Sequence, residues 1–467
     1  MIITSSFIQR LAWRAAAIAL CSAAPLGAVL AQPAADSGAA PKPFEAYAQQ
    51  TAQVRYLDID SQVLGERRTI AISLPDSYDS QPGQRYPVLL LLDGPAQLAH
   101  TESLVRFLAR GEKVPEMIIV AVANTQRSRD LTPPLPAGAE GRGPLSRSAP
   151  SGGADAFLAF LSDELLPTVD QRYRTAPWRA LLGHSFGGLF GLHALVQKPE
   201  LFRAYLLASP SLWWGDGDIR RRAQAAWPSL QRLPGDRWVY FTSGDGEKTI
   251  EDSVNAFEAL LKRLPAAQPS GLHWVRDRLP GDDHGTTPHL TWLNGLRLAF
   301  ADWPYDMPER ATPADYTAYL AHRHQRSVRY GVDVAPSVFE LTHFAVAHAR
   351  AAQPRQALAL ACQLAERRGP QRTVFGPLSR IGGALADAGA ASGAGARAGA
   401  AGTAAAAEAA GAARTVYALA LAHAADADTT PEAVERVRQR AQGAGQVDTA
   451  AACADSAKGS QSASAVR

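Results

Sequence analysis

Leu181-Leu182-Gly183-His184-Ser185-Phe186-Gly187-Gly188 reads as a strand that enters a sharp turn and leaves it as a helix. The pattern small-x-Ser-x-small falls on the turn. A nucleophile held in a strained conformation between strand and helix needs neighbours without Cβ atoms, and Gly183 and Gly187 supply them. Upstream, Trp178-Arg179-Ala180-Leu181-Leu182 has the apolar content of a buried strand. Downstream, Leu189, Phe190, Leu192 and Leu195 give a helix from about Gly188 to Gln197 its apolar face. The positive N-terminal end of that helix is directed at Ser185 and at any oxyanion formed there.

Working outward, Pro87-Val88-Leu89-Leu90-Leu91-Leu92 and Met117 to Val122 are continuous apolar runs, suited to strands covered on both faces. Further strands are expected around Val54 to Ile59, Arg68 to Leu74, Ala204 to Ala208, Trp238 to Thr242 and Leu272 to Arg276. Helical spacing joins Phe157, Phe160, Leu161 and Leu165, and again Val254, Phe257, Leu260, Leu261 and Leu264. Strands alternating with helices over residues 51–303 imply an α/β domain, its central sheet mainly parallel and flanked by helices, with antiparallel opening strands. Beyond Trp303 the pattern becomes helical. Residues 304–381 contain a helical hairpin, Ser337 to Arg350 and Pro354 to Arg367, and residues 382–413 are an Ala/Gly-rich low-complexity segment expected to be flexible or partly helical. A helical segment covers 414–454, its last helix starting at Thr430-Pro431-Glu432, and 455–467 read as a disordered tail.

The chain has 467 residues, too many for one average domain, and 46% are hydrophobic, ample for a large core. Residues 1–31 read as a signal peptide: Arg10 and Arg14 precede an apolar run from Ala15, and Val29-Leu30-Ala31 is a small-residue cleavage pattern. Pro25 and Gly27 interrupt the run before it reaches the ~20 apolar residues of a membrane span. Leu20 before Cys21 argues against a lipoprotein site. Residues 32–50 form a linker. The formal charge is +3, and removing the leader with its two arginines leaves +1, which gives no reason to expect nucleic acid as a partner. Export implies a periplasmic or secreted protein without stable membrane insertion. The remaining Cys362 and Cys453 permit one disulfide, or are two solitary buried thiols. Metal binding needs more ligands than this pair offers.

A serine hydroxyl needs a base within hydrogen-bond reach. His284 follows the final expected strand in Gly281-Asp282-Asp283-His284-Gly285, completing the chain order Ser, acid, His. His184, His289, His193 and His100 are weaker candidates. The acid that orients the imidazole belongs after the penultimate strand, where Gly244-Asp245-Gly246-Glu247 offers Glu247, with Asp245 in reserve. Glu251 and Asp252 follow. The backbone N–H of Phe186 is the first oxyanion donor, and a second should come from the loop after the Leu89 to Leu92 strand.

Five ordered motifs carry a resemblance. Tyr86-Pro87-Val88-Leu89-Leu90-Leu91-Leu92-Asp93-Gly94, Asn124-Thr125-x-Arg127-x-Arg129-Asp130-Leu131-Thr132-Pro133, Gly183-His184-Ser185-Phe186-Gly187-Gly188, Ser209-Pro210-Ser211-Leu212-Trp213-Trp214 and Asp283-His284-Gly285 together resemble the putative-esterase branch of the α/β-hydrolases. That branch includes esterase D-like and enterochelin (siderophore) esterases. The resemblance spans roughly residues 50–303 and implies carboxylic-ester hydrolysis by an acyl-serine route, with neither metal nor organic cofactor and a small-molecule ester as substrate. It also implies an oxyanion donor after Asp-Gly, where this chain has Pro95, which has no N–H. Gly94 or Ala96 is then the candidate. Arg127 and Arg129 leave the carboxyl end of a strand and either grip an anionic part of the substrate or pair with Asp130. Trp213 and Trp214 form either an aromatic wall for a ring or loop packing. The hairpin after residue 335 is faintly similar to a tetratricopeptide pair, which leaves a protein partner at the C-terminal helices as a hypothesis. The favoured function is an exported serine esterase; an acyltransferase of the same fold and a non-catalytic binding protein are the rivals.

Overall fold

The computed structural model describes residues 54–135, 150–265, 271–333, 335–366, 374–393, 400–425, 429–442 and 447–464. The expected signal peptide and linker lie outside them. Eight strands make one sheet: β1 (Val54–Ser61), β2 (Glu66–Ser73), β3 (Tyr86–Leu91), β4 (Ile118–Val122), β5 (Thr175–His184), β6 (Ala204–Ala208), β7 (Arg237–Ser243) and β8 (Leu272–Arg278). Their order is β1-β2-β4-β3-β5-β6-β7-β8. β1 pairs antiparallel with β2, and β2 antiparallel with β4. From β4 to β8 every pair is parallel.

Every residue of β3 and β4 is buried, as their unbroken apolar runs require of strands covered on both faces. Because side chains alternate, Val88 and Leu90 enter one core while Leu89 and Leu91 enter the other. The second core is closed by α1 (Gly94–Arg110) and α8 (Thr287–Ala299), which bring Leu104, Leu108, Trp292 and Leu296 to the sheet. The first is closed by α3 (Ala154–Ala159), a π-helical stretch (Phe160–Leu165), α4 (Leu166–Arg172), α5 (Phe186–Gln197), α6 (Trp214–Leu230) and α7 (Lys248–Leu261). The short α2 (Arg127–Leu131) follows β4. In a parallel sheet all carboxyl ends share one edge, and the loops after β3, β5, β6, β7 and β8 meet there. They carry Asp93, Ser185, Ser209, Glu247 and His284.

A third core is all helical, built from α9 (Pro313–Tyr330), α10 (Val338–Arg350), α11 (Pro354–Ala365), α12 (Phe375–Gly393), α13 (Ala400–Ala422) and α14 (Pro431–Ala441), and α15 (Thr449–Ser464) lies against α11. α9 bridges the two regions: Tyr319 is buried in the helical core, and Tyr330 packs against Trp178 and Phe300 of the sheet core. The Ala/Gly-rich segment, expected to be flexible or partly helical, is helical over 382–393 and 400–413, because its small residues let α12 and α13 approach closely; a Cβ on Gly382 would lie 2.7 Å from the Tyr417 ring. Packing outweighs the ~1 kcal/mol helix penalty of each glycine. One expectation needs correction: the helix at Thr430 is not the last, since α15 runs through the start of the expected tail to Ser464.

The Cys362–Cys453 disulfide ties α15 to α11 across 91 residues of sequence. Closing a loop of that length in the unfolded chain stabilises a fold by roughly 4–5 kcal/mol in the chain-entropy account. Reduction, or Cys362→Ser, is therefore expected to lower the melting temperature of the helical region. Scanning calorimetry with and without dithiothreitol checks this, and coincident melting curves would refute it.

Candidate active site

Ser185 sits between β5 and α5 at φ 59°, ψ −114°, a conformation that L residues rarely adopt. Its surroundings over-determine that strain. Its N–H donates to the Ala208 carbonyl at 2.9 Å, and its own carbonyl accepts from the N–H groups of Leu189 at 3.1 Å and Ser211 at 3.0 Å. Gly183 is required by close approach: a Cβ there would stand 2.2 Å from the Gly187 carbonyl oxygen.

Ser185 Oγ lies 3.0 Å from His284 Nε2, and His284 Nδ1 lies 2.5 Å from Glu247 Oε1. A carboxylate only accepts, so Nδ1 carries the proton and the Nε2 lone pair faces the serine hydroxyl. The other Glu247 oxygen accepts from Ser209 Oγ at 2.8 Å and from the Gly244 N–H at 2.6 Å. Burial works to raise the Glu247 carboxyl, but the bonds from His284, Gly244 and Ser209 outweigh it and hold the group below its ordinary value. Glu247 therefore stays ionised and orients the imidazole. Asp245 does not take this place. It is exposed, accepts from the Gly281 N–H at 2.8 Å and pairs with Arg278 at 2.9 Å.

His184, beside the serine, packs its ring 4.5 Å from that of His284. Burial, then the charge of His284, pushes the His184 imidazole down to about 4. It is neutral at pH 7, so no second cation opposes a proton arriving on His284. Of the other histidines, His193 pairs with Asp155 at 2.9 Å, while His100 and His289 pack against each other with ring centres 5.8 Å apart.

Phe186 opens α5 and Gly94 opens α1, and neither backbone N–H donates to another described residue. Ala96 is corrected: its N–H donates to the Asp93 carbonyl at 3.0 Å. Gly94 is left as the candidate second donor, and its lack of a side chain has a steric cause, since a Cβ would lie 3.0 Å from the Val122 carbonyl. A cavity of about 410 Å³ opens on Ser185 and is lined by Asp93, Pro95, Ala96, Gln97, Asn124, Arg127, His184 and His284. That volume suits a small-molecule ligand. A larger cavity, about 590 Å³, is lined by Tyr86 and Met117 near the opposite ends of the strands and by α10. It contains none of the relay residues, so the chemistry belongs to the smaller one.

For Arg129, Trp213 and Trp214 the structure matches the second of the two roles the sequence offered. Arg129 is not in the cavity; it grips Glu66 with two nitrogens, at 2.7 and 3.2 Å, and Asp130 with a third at 2.7 Å. Glu66 is pulled down to about 2, chiefly by Arg129. Trp214 is buried, donates its indole N–H to the Pro133 carbonyl at 3.0 Å and meets Phe186 edge-on. Trp213 is half-buried against the same ring, its centre 6.0 Å away. Both tryptophans pack behind the nucleophile's loop. Sequence reasoning also missed Ser209 and Ser211. Ser209 steadies Glu247, and Ser211 Oγ lies 3.2 Å from Ser185 Oγ. The signal was the Ser-Pro-Ser run directly after β6, quoted as a motif without a role.

The family described as Putative esterase matches residues 61–271, which include Ser185 and Glu247. The siderophore triacetylfusarinine C esterase of Aspergillus fumigatus is 30% identical over 285 residues, covering 54% of this chain and 93% of that one. The chain belongs to the putative esterase family. It is a hydrolase acting on esters. The ferri-bacillibactin esterase BesA of Bacillus subtilis is 32% identical to this esterase over 247 residues, half of its chain and 86% of the relative. An IroE-like serine hydrolase from Shewanella oneidensis matches its structure with a TM-score of 0.53 at 28% identity, over 66% of the esterase and 97% of the neighbour.

Proposed function

We propose that this esterase cleaves siderophore esters through an acyl-serine intermediate, and does so after export. The observation that carries the mechanism is the unbroken line from Ser185 Oγ through His284 to the buried Glu247 carboxylate. Ser185 attacks the ester carbonyl while His284 Nε2 takes its proton; the Phe186 and Gly94 N–H groups receive the oxyanion; His284 then protonates the leaving alcohol. Water, activated by the same imidazole, releases the acid. The substrate class rests on the relatives, whose names place triacetylfusarinine C and bacillibactin among their substrates. Export is supported by the signal-like residues 1–31 and by the disulfide, which persists in oxidising compartments. Among the described residues no helix is long and apolar enough to cross a membrane.

The test is mass spectrometry of products from triacetylfusarinine C and bacillibactin, incubated with the purified protein and with Ser185→Ala. Hydrolysed ester fragments are expected with the first and not with the second. Turnover of simple p-nitrophenyl esters with both siderophores left intact would overturn the substrate class and leave the mechanism standing. The N-terminus of the exported protein is expected at Gln32.

A further inference from the structure

We propose that Arg127 is a positioning residue that brackets the two halves of the oxyanion hole, holding Asp93 on one side and the His184 carbonyl on the other; this rests on the serine-esterase reading above. Arg127 Nε and Nη2 donate to the two Asp93 carboxylate oxygens at 2.6 and 2.8 Å. The same Nη2 donates to the His184 carbonyl at 3.1 Å. One planar guanidinium therefore ties the loop after β3 to the end of β5. These are the segments that present the Gly94 and Phe186 N–H groups.

Asp93 gives the bracket its purpose. Its backbone lies at φ 56°, ψ 38°, in the left-handed region, and the peptide that follows carries the Gly94 N–H, so its dihedrals aim that donor. Aspartate enters this region more readily than most side chains, still at a cost, and here its carboxylate is anchored by Arg127 and by Asn124 Nδ2 at 2.5 Å. The Asp93 side chain is only 8% exposed, and a carboxylate that far from water persists only when paired. It also neighbours the site of negative-charge development, where an unpaired carboxylate would oppose the transition state. The two halves lie close together: a Cβ added to Gly187 would stand 3.6 Å from Asp93 Oδ2.

The sequence offered Arg127 as a grip for anionic substrate. Two of its three guanidinium nitrogens are instead spent on the protein itself, which a bracket requires and a grip does not. The two roles differ in kinetics. Arg127→Ala is expected to lower kcat by roughly 10²-fold, the scale of a misplaced catalytic group, equally on p-nitrophenyl butyrate and the anionic p-nitrophenyl hemisuccinate. KM should stay within about threefold. Added guanidinium ion should restore part of the rate. Asp93→Asn combined with Arg127→Ala should be less impaired than the product of the two single losses, because no buried charge is left unpaired.

An unchanged kcat in Arg127→Ala, or a KM rise confined to the hemisuccinate, would overturn the bracket. Should Arg127→Ala not fold, Arg127→Lys decides, since it keeps the charge and loses the fork: a fall in kcat supports the bracket and a wild-type kcat refutes it. If the wild-type protein hydrolyses neither ester, the same kinetics are read on triacetylfusarinine C, and no hydrolysis there either overturns the serine-esterase reading and the bracket with it. If the wild type is active and both Arg127 variants match it, the bracket alone fails.

Discussion

Ser185→Ala is expected to lower kcat on p-nitrophenyl butyrate by about 10⁶-fold, and His284→Ala by a similar factor, with the double variant no worse than either single. The reason is that nucleophile and base act as a unit. Without the hydroxyl, His284 Nε2 has no proton to accept; without the imidazole, a hydroxyl with an alcohol's pKa has no base at 3.0 Å. What survives is catalysis by the oxyanion donors and by binding, worth some 10³–10⁴ over water. KM should change little, because neither side chain makes its decisive contact before the transition state. The fold should be intact, since Ala at 185 retains the backbone bonds to Ala208, Leu189 and Ser211. Steady-state kinetics on the three variants, with circular dichroism beside them, check this. Losses that multiply would show that the two groups act independently.

Glu247→Gln and Asp245→Asn separate the two acids that the sequence offered. Glu247→Gln is expected to cost about 10⁴-fold in kcat. An amide in that place offers His284 Nδ1 a donor as readily as an acceptor and no longer stabilises the imidazolium. It also leaves Ser209 and the Gly244 N–H on a weaker acceptor. Asp245→Asn should stay within about twofold of wild type, because an exposed ion pair contributes little. The pH dependence of stability gives a second reading. The folded Glu247 carboxyl lies below the ordinary 4.5, so its ionised form favours the fold. That contribution is complete above the ordinary value and is lost as pH falls through the lowered one. Urea unfolding between pH 5 and pH 3 should therefore weaken more steeply in wild type than in Glu247→Gln; parallel slopes would contradict it.

The sheet was legible because its signals are local. The apolar runs of β3 and β4 and the Gly-flanked turn at Ser185 each state their environment within a few residues. Ser185, His284 and Glu247 were legible through their order after successive strands. What could not be read was which way loop side chains turn. Arg129 and Trp214 stand beside site residues in sequence, yet Glu66 lies 63 positions from Arg129, and Pro133 lies 81 from Trp214. Such partners are tertiary facts. Asp245 and Glu247 are two residues apart, and only the path of the turn through Gly246, at φ 74°, decides which carboxylate meets the imidazole. The Ala/Gly-rich segment reads only as flexible or partly helical for a related reason: glycine lowers intrinsic helicity, while the close packing it permits between α12 and α13 is invisible in composition.

The most direct test of the account is to find where the acyl group goes. The esterase is mixed with p-nitrophenyl pivalate, whose bulk slows deacylation, quenched in acid within the first turnovers and digested for mass spectrometry. A pivaloyl adduct is expected on Ser185, absent from Ser185→Ala, with p-nitrophenol released in a burst equal to the enzyme present. An adduct on another residue, or Ser185→Ala turning the ester over at the wild-type rate, would contradict the serine mechanism.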